Sequence, residues 1–185
     1  MAQSADPRRR IRAHRSGRLS VSVLEQDRTL RFAVDRSLGK LCTWLRILGF
    51  DTLAEADSSG DFFKALEGRI LVTRIREYRQ RWRNHPLIFI RRDRVRDQLR
   101  QVIESVPLSR TDLCLFSRCV RCNLPLQPVD RSTVFGRVPE YIRQTRERFK
   151  ECLECGRIYW RGSHGDAADM EIDRLFRKPT GPEGA

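Results

Sequence analysis

The chain has 185 residues, of which 37 are lysine or arginine and 24 are aspartate or glutamate, so its formal net charge is +13. It contains no apolar run of about 18 residues, which predicts no transmembrane helix, and its first residues lack the apolar core of a secretion signal. Most basic residues are arginine, whose planar guanidinium groups fit phosphates and stack on bases, so we expect RNA or DNA as the partner.

Residues 1–18 contain six arginines and almost no apolar side chain. This composition predicts a disordered basic arm. The arm either docks on nucleic acid or remains a solvated tail, and an organellar presequence is a further alternative. The alternation from Leu19 to Leu24 then predicts a short strand.

Residues 19–106 are predicted to form an α/β domain, because short apolar strands alternate with amphipathic helices. The predicted strands lie at 31–35, 50–54, 69–73 and 87–90, and the predicted helices at 38–48, 62–67, 75–83 and 95–105. Gly49 is expected to end the first helix. This order predicts a parallel sheet flanked by helices, joined by right-handed crossovers.

Acidic residues follow the predicted strands. Asp35 ends the first strand, and Asp57 and Asp61 lie in the loop after the second. Ligands of parallel sheets bind outside the carboxyl ends of the strands, and clustered acids there hold Mg²⁺ or Mn²⁺ and activate water against a phosphodiester. A single acid at a strand end is more often a helix cap, so each of these residues alone indicates little.

A linker is predicted at 107–118, followed by two paired cysteines, Cys119-Val-Arg-Cys122 and Cys152-Leu-Glu-Cys155. Each pair places two thiolates on one tight turn, and two such turns form a four-sulfur zinc site. Asn123 and Gly156 follow the pairs and tolerate the left-handed backbone that such turns need. Two disulfides, or cysteines with no shared role, are the alternatives, but this cysteine pattern without a secretion signal favours a reducing compartment, and we expect the cytoplasm.

The two pairs are separated by 29 residues, which predicts a zinc ribbon at 119–165 with a helical insertion. Pro139 suits the first turn of a helix that we expect to reach Phe149 with a basic face. Tyr159 and Trp160 either stack on bases or pack the ribbon core. His164 is not needed as a ligand, so a hydrogen bond or a phosphate contact is expected. Residues 166–185 are predicted to be a tail with a short helix.

Several stretches together resemble one known family over about residues 31 to 164. They are Phe32-Ala-Val-Asp35, Leu38-Gly-Lys-Leu41, Gly68-Arg-Ile-Leu-Val-Thr-Arg74 and Cys155-Gly-Arg-Ile-Tyr-Trp-Arg-Gly-Ser-His164. The chain is similar to the PIN-like ribonuclease domain with a fused zinc ribbon, a family named after the C-terminal RNase domain of a mutator exonuclease. The resemblance implies a PIN-like α/β fold and metal-dependent RNA cleavage.

The resemblance also implies a set of catalytic acids, which are Asp35, Asp57, Asp61 and Glu77. The family's third acid follows a Thr-Arg pair, and here that position is Ile75, with Glu77 two residues later. We expect RNA contacts from Arg74, Arg143, Arg146, Arg161 and His164.

Three functional readings follow. The first is an RNA-acting protein that is a metal-dependent ribonuclease with a weakened active site. The second is a catalytically inactive factor that binds RNA or a ribonucleoprotein, and the third is a purely structural interaction domain. The expected cofactors are structural Zn²⁺ and catalytic Mg²⁺ or Mn²⁺.

Overall fold

The computed structural model describes residues 30–57 and 60–176, and for residues 163–168 it describes the backbone alone. The predicted arm at 1–18, the predicted strand at 19–24 and the end of the predicted tail lie outside these ranges. The described residues divide into two compact units, residues 30–42 with 52–107 and residues 43–51 with 108–176.

A four-stranded sheet has the order β2-β1-β3-β4, with β1 and β4 both parallel to β3. Its strands are β1 (Arg31–Val34), β2 (Asp51–Ala54), β3 (Ile70–Thr73) and β4 (Leu87–Phe89), and the helices of this part of the chain are α1 (Gly39–Ile47), α2 (Arg76–Arg81) and α3 (Val95–Ser105). The predicted parallel sheet flanked by helices is confirmed.

The central strands are buried because parallel strands are covered on both faces. Every residue of β3 is buried, and Val34 pairs with Val72 in register. Phe62 and Leu66 pack in one apolar cluster with Leu71. The helix predicted over 62–67 is only one 3₁₀ turn, Lys64–Leu66, which suffices to insert these side chains into the cluster.

A second, antiparallel sheet has the order β5-β6-β7, with strands β5 (Gln127–Val129), β6 (Phe149–Glu151) and β7 (Ile158–Trp160). Helix α4 (Glu140–Thr145) lies in the insertion, and α5 (Ser163–Phe176) follows β7. The prediction that the insertion helix reaches Phe149 is wrong. Phe149 is 2 % exposed and pairs with Val129 and Trp160, so strand pairing and burial prevail over helix continuation.

Residues 43–51 belong to the same unit as the cysteines, although they precede them by many positions. The Phe116 N–H donates to the Ile47 carbonyl at 2.9 Å, and the Cys114 N–H donates to the Leu48 carbonyl at 3.2 Å. Gly49 has φ +99° and lies so close that a Cβ would be 2.4 Å from the Cys114 carbonyl oxygen. Only glycine fits there, which confirms Gly49 as the residue that ends α1.

Within residues 30–57 and 60–176, every helix is too short or too polar to cross a bilayer.

Candidate functional site

The four paired cysteines converge on one point. The sulfur atoms of Cys119, Cys122, Cys152 and Cys155 all lie within 4.8 Å of one another. The two turns repeat the same backbone pattern, since the Asn123 N–H donates to the Cys119 carbonyl at 2.9 Å and the Gly156 N–H donates to the Cys152 carbonyl at 2.8 Å. Both Asn123 and Gly156 have positive φ, 63° and 66°, as predicted. Four sulfur donors at this spacing can hold a metal ion such as zinc.

Two side chains outside the pairs support this cluster. Arg46 of α1 is 5 % exposed, and its Nη1 donates at 2.9 Å to the carbonyls of both Val120 and Arg121, the two residues inside the first pair. The Tyr159 hydroxyl lies 3.1 Å from the Cys119 sulfur and accepts from the Val120 N–H at 3.3 Å. Neither role follows from a local pattern, because the partners of Arg46 lie 74 and 75 positions later and those of Tyr159 lie 39 and 40 positions earlier.

The thiols influence each other's ionisation. Burial raises the pKa of Cys119, but hydrogen bonds from the Cys122 backbone, the Tyr159 hydroxyl and the Arg121 backbone outweigh it and lower this pKa to about 6. Burial and hydrogen bonds to the neighbouring sulfurs raise the pKa of Cys122 to about 12. Since thiolates repel one another, all four can ionise together only around a cation, which is how a metal site behaves.

Asp35 lies at the carboxyl end of β1 and is 1 % exposed. Its carboxylate accepts four hydrogen bonds. Oδ1 accepts from the Ser37 N–H at 2.7 Å and the Ser37 hydroxyl at 2.5 Å, and Oδ2 accepts from the Thr73 hydroxyl at 2.6 Å and the Arg74 N–H at 2.8 Å. The pairing of β1 with β3 therefore brings Asp35 and Thr73 together at the same edge of the sheet. A carboxylate has about four lone-pair sites, so Asp35 is saturated by the protein itself.

The other predicted acids, unlike Asp35, are exposed. The Asp61 side chain is 71 % exposed and pairs with Lys64 at 2.7 Å. Asp57 and Glu77 are exposed, and Ile75 is half-buried at the start of α2. In the described part of the chain, the four paired cysteines are close enough together to share a metal ion. No three of the described acids are.

Glu55 is an acid at this edge that the sequence did not single out. Its side chain accepts from the Arg36 N–H at 3.0 Å and from the Tyr78 hydroxyl at 2.8 Å. Burial and the hydrogen bond to Glu55 raise the pKa of Tyr78. The partners of Glu55 lie 19 and 23 positions away in the sequence, so no local pattern could have revealed this role.

Three of the arginines predicted to contact RNA are paired with acids of the chain. Arg74 lies 2.8 Å from Asp93, Arg143 lies 2.8 Å from Glu140, and Arg161 lies 2.6 Å from Asp169. The buried Nε of Arg146 has no hydrogen-bond partner among the described residues. The His164 side chain lies outside the described part of the structure.

A short loop after β4 carries three exposed arginines that the sequence did not single out, Arg91, Arg92 and Arg94. Two glutamines of α3 hold this loop. Gln98 donates to the carbonyls of Arg92 and Asp93 at 3.0 and 3.1 Å, and Gln101 accepts from the Arg91 N–H at 3.1 Å. Because β1, β3 and β4 are parallel neighbours, these arginines share an edge with Arg36, Arg74 and Arg76.

The family model of the Mut7-C RNAse domain matches residues 30–172. The match runs from the residue before β1 into α5 and includes Asp35 and all four paired cysteines. The comparison with curated proteins gave no match, and neither did the comparison with solved structures.

Proposed function

The chain belongs to the Mut7-C RNAse domain family, and we propose that it acts on RNA through a PIN-like domain whose nuclease site is weakened. Family membership supports RNA as the partner. The weakened site is carried by one observation: the Asp35 carboxylate already accepts four hydrogen bonds from Ser37, Thr73 and Arg74.

A divalent cation at this edge would need anionic oxygen ligands, because Mg²⁺ and Mn²⁺ give up bound water only for such groups. Binding to Asp35 would require the Ser37 or Thr73 donors to turn away from the carboxylate. The position where the resemblance expects a further acid holds Ile75, whose side chain offers no ligand. Both features oppose tight cation binding, which supports slow or absent cleavage.

The arginines at the same edge support retained RNA binding. Arg76, Arg91, Arg92 and Arg94 are exposed after β3 and β4. Guanidinium groups bind phosphate oxygens in pairs, so this row suits a ribose-phosphate backbone. The RNA would be bound either alone or as part of a ribonucleoprotein, and Arg143, Arg146 and Arg161 are proposed as separate RNA contacts.

We assign Zn²⁺ to the four cysteines, in a structural role, because a closed tetrahedral sulfur site leaves no position for a substrate. The six cysteines of the chain are all free of disulfides, which supports a reducing compartment such as the cytoplasm.

A second candidate function is an active ribonuclease that uses Mg²⁺ or Mn²⁺ with Asp35, Asp57, Asp61 and Glu77. It is favoured by the position of Glu77, which is exposed in the first turn of α2, directly after β3. Residues two apart on a helix do not share a face, however, so Glu77 is a poor substitute for an acid at position 75.

The experiment compares the unmodified protein with Ile75→Asp and Ile75→Asn. Residue 75 is the N-cap of α2, where Asp and Asn stabilise a helix about equally, so the two variants differ mainly in charge. We expect the unmodified protein to bind RNA and to cleave it slowly or not at all with Mn²⁺. Ile75→Asp should bind Mn²⁺ more tightly and gain cleavage, and Ile75→Asn should gain neither.

Rapid Mn²⁺-dependent cleavage by the unmodified protein would contradict the weakened site, provided that the Glu77→Gln variant no longer cleaves. Glu77→Gln is the appropriate probe because this side chain is exposed. Asp35→Asn also breaks internal hydrogen bonds, so its effect on activity would have two causes. Absence of RNA binding by the unmodified protein would contradict the proposed function itself.

A further inference from the structure

A cleft of about 480 Å³ opens on the ribbon beside the cysteine cluster. It is lined by β7 (Ile158–Trp160), by Val120 of the first cysteine turn, by Gly156 and Arg157 after the second, and by Arg137. Its volume falls within the range of about 300–1,000 Å³ that is usual for small-molecule sites.

Trp160 supplies an aromatic surface to this cleft. It is 37 % exposed and is one of the large exposed apolar side chains of the described residues. The neighbouring Tyr159 is different, since its hydroxyl is held by the Cys119 sulfur and the Val120 N–H. Of the two alternatives, Tyr159 therefore packs in the ribbon core, whereas Trp160 lies at the surface, where a base can stack on it.

Two arginines line the same cleft in different states. Arg137 is fixed, because its Nη2 donates to the Glu151 carboxylate and, at 2.9 Å, to the Gly156 carbonyl. The Arg157 side chain is exposed and forms no ion pair within the described part of the chain. The cleft therefore presents one aromatic surface, one fixed guanidinium group whose charge is balanced, and one unbalanced positive charge.

We propose that this cleft binds an unpaired nucleobase of single-stranded RNA, stacked on Trp160, with an adjacent phosphate on Arg157. The inference rests on the proposed function and specifies a second RNA contact within the ribbon. Every base has an aromatic face, so stacking tolerates any sequence, whereas the phosphate contact requires a cation. Residues of both cysteine turns line the cleft, so a metal ion that joins the turns would also fix its shape.

The test uses the full zinc-loaded chain and two labelled oligonucleotides of equal length, one single-stranded RNA and one with abasic sites throughout. Trp160→Ala should weaken RNA binding about tenfold, which is typical for the loss of one stacked base. It should leave binding of the abasic strand unchanged, because that strand keeps its phosphates and has no base to stack. Trp160→Phe keeps an aromatic face and should retain most of the RNA affinity.

Arg157→Gln should weaken both strands by similar factors, because it removes a phosphate contact. The matched control is Tyr141→Ala, which removes an exposed aromatic residue of the same unit that does not line the cleft. This control should change neither affinity. Zinc content, measured for every variant, shows whether the ribbon is still folded.

Equal RNA affinity of the unmodified protein and a zinc-loaded Trp160→Ala variant would overturn the proposed cleft and leave the proposed function standing. An equal loss on both strands would also overturn it, since stacking would not be the cause. If Trp160→Ala weakens binding of an acidic aromatic peptide but not of RNA, the cleft is a protein-binding site and the proposal is overturned. No RNA binding by the unmodified protein would overturn both proposals.

Discussion

Asp35 shows how one buried carboxylate connects segments that are far apart in the sequence. Burying a charge is costly unless hydrogen bonds compensate it, and here the Ser37, Thr73 and Arg74 donors do so. Two of these donors belong to residues 38 and 39 positions later. The side chain therefore joins the end of β1 to the end of β3, whatever its role toward RNA.

Replacing Asp35 by asparagine should lower the free energy of unfolding by about 2 kcal/mol or more, because the amide nitrogen cannot accept and buried donors lose their partner. Denaturant unfolding measures this change. The control is Asp93→Asn, whose side chain is 87 % exposed and pairs only at the surface. Asp93→Asn should cost less than about 1 kcal/mol. Equal, small effects of the two substitutions would refute the bracing role of Asp35.

His85 should make stability depend on pH. Its Nε2 lies 2.9 Å from the Arg69 carbonyl, and burial lowers its pKa from 6.5 in spite of that hydrogen bond. Below pH 6.5 the unfolded chain therefore takes up a proton more readily than the folded protein. The contribution of neutral His85 to the free energy of unfolding is fully present above that pH and is lost as the pH decreases.

The change is measured as the unfolding midpoint in denaturant over a pH series. His85→Gln cannot titrate and should show a smaller loss below pH 6.5 than the unmodified protein. Parallel pH profiles for the two proteins would mean that other groups cause the dependence.

At the scale of elements, the paired cysteine turns were predictable because all their requirements are local. The spacing of the cysteines predicts the four ligands, and Asn123 and Gly156, which follow the two pairs, predict the left-handed backbone. Helix α3 was predicted with its observed bounds, since Leu99, Val102 and Ile103 mark its buried face.

Pairing between distant segments determines the features that local patterns do not predict. Arg146 to Phe149 can continue a helix by local propensity, but the burial of Phe149 between two strands ends α4 at Thr145. Likewise, Asp35 was placed at the correct edge, but its saturation by Thr73 and Arg74 depends on the pairing of β1 with β3, which a single sequence does not reveal. The exposed arginines after β4 matter only because β4 lies beside β3.

The cysteine cluster should contain one zinc ion per chain by elemental analysis. Cys152→Ser should abolish zinc binding, because it removes one of the four sulfur ligands. Cys114→Ser is the control, since Cys114 is exposed and outside the cluster, and it should keep the zinc. Zinc-free protein whose four clustered thiols react with a thiol reagent as fast as Cys114 would rule out the metal site.

At the scale of the molecule, the net charge of +13 predicts RNA binding that weakens as salt rises, because each neutralised phosphate releases condensed counterions. Each contact with single-stranded RNA contributes about 0.7 to the slope of log K against log salt. Replacing Arg91, Arg92 and Arg94 together by glutamine should therefore reduce the slope by about 2.

The control replaces Arg110 and Arg174, which already lie beside Asp173 and Glu171. Their loss should change the slope little, because their charges are balanced within the protein. A slope that falls by the same amount per replaced arginine in both sets would show that net charge, and not the arginine loop, determines binding. A salt-independent affinity would argue against phosphate contacts altogether.

The membership of residues 43–51 in the cysteine unit has a consequence for synthesis on the ribosome. Arg46 precedes its partner Val120 by 74 positions, so at about 5–20 residues per second the helix waits roughly 4 to 15 s for that partner. For most of this interval the Ile47 and Leu48 carbonyls also lack their donors, the Phe116 and Cys114 N–H groups. The cysteine unit therefore cannot be completed until these later segments have been synthesised, and all four sulfur atoms can bind zinc together only after Cys155 has left the ribosome.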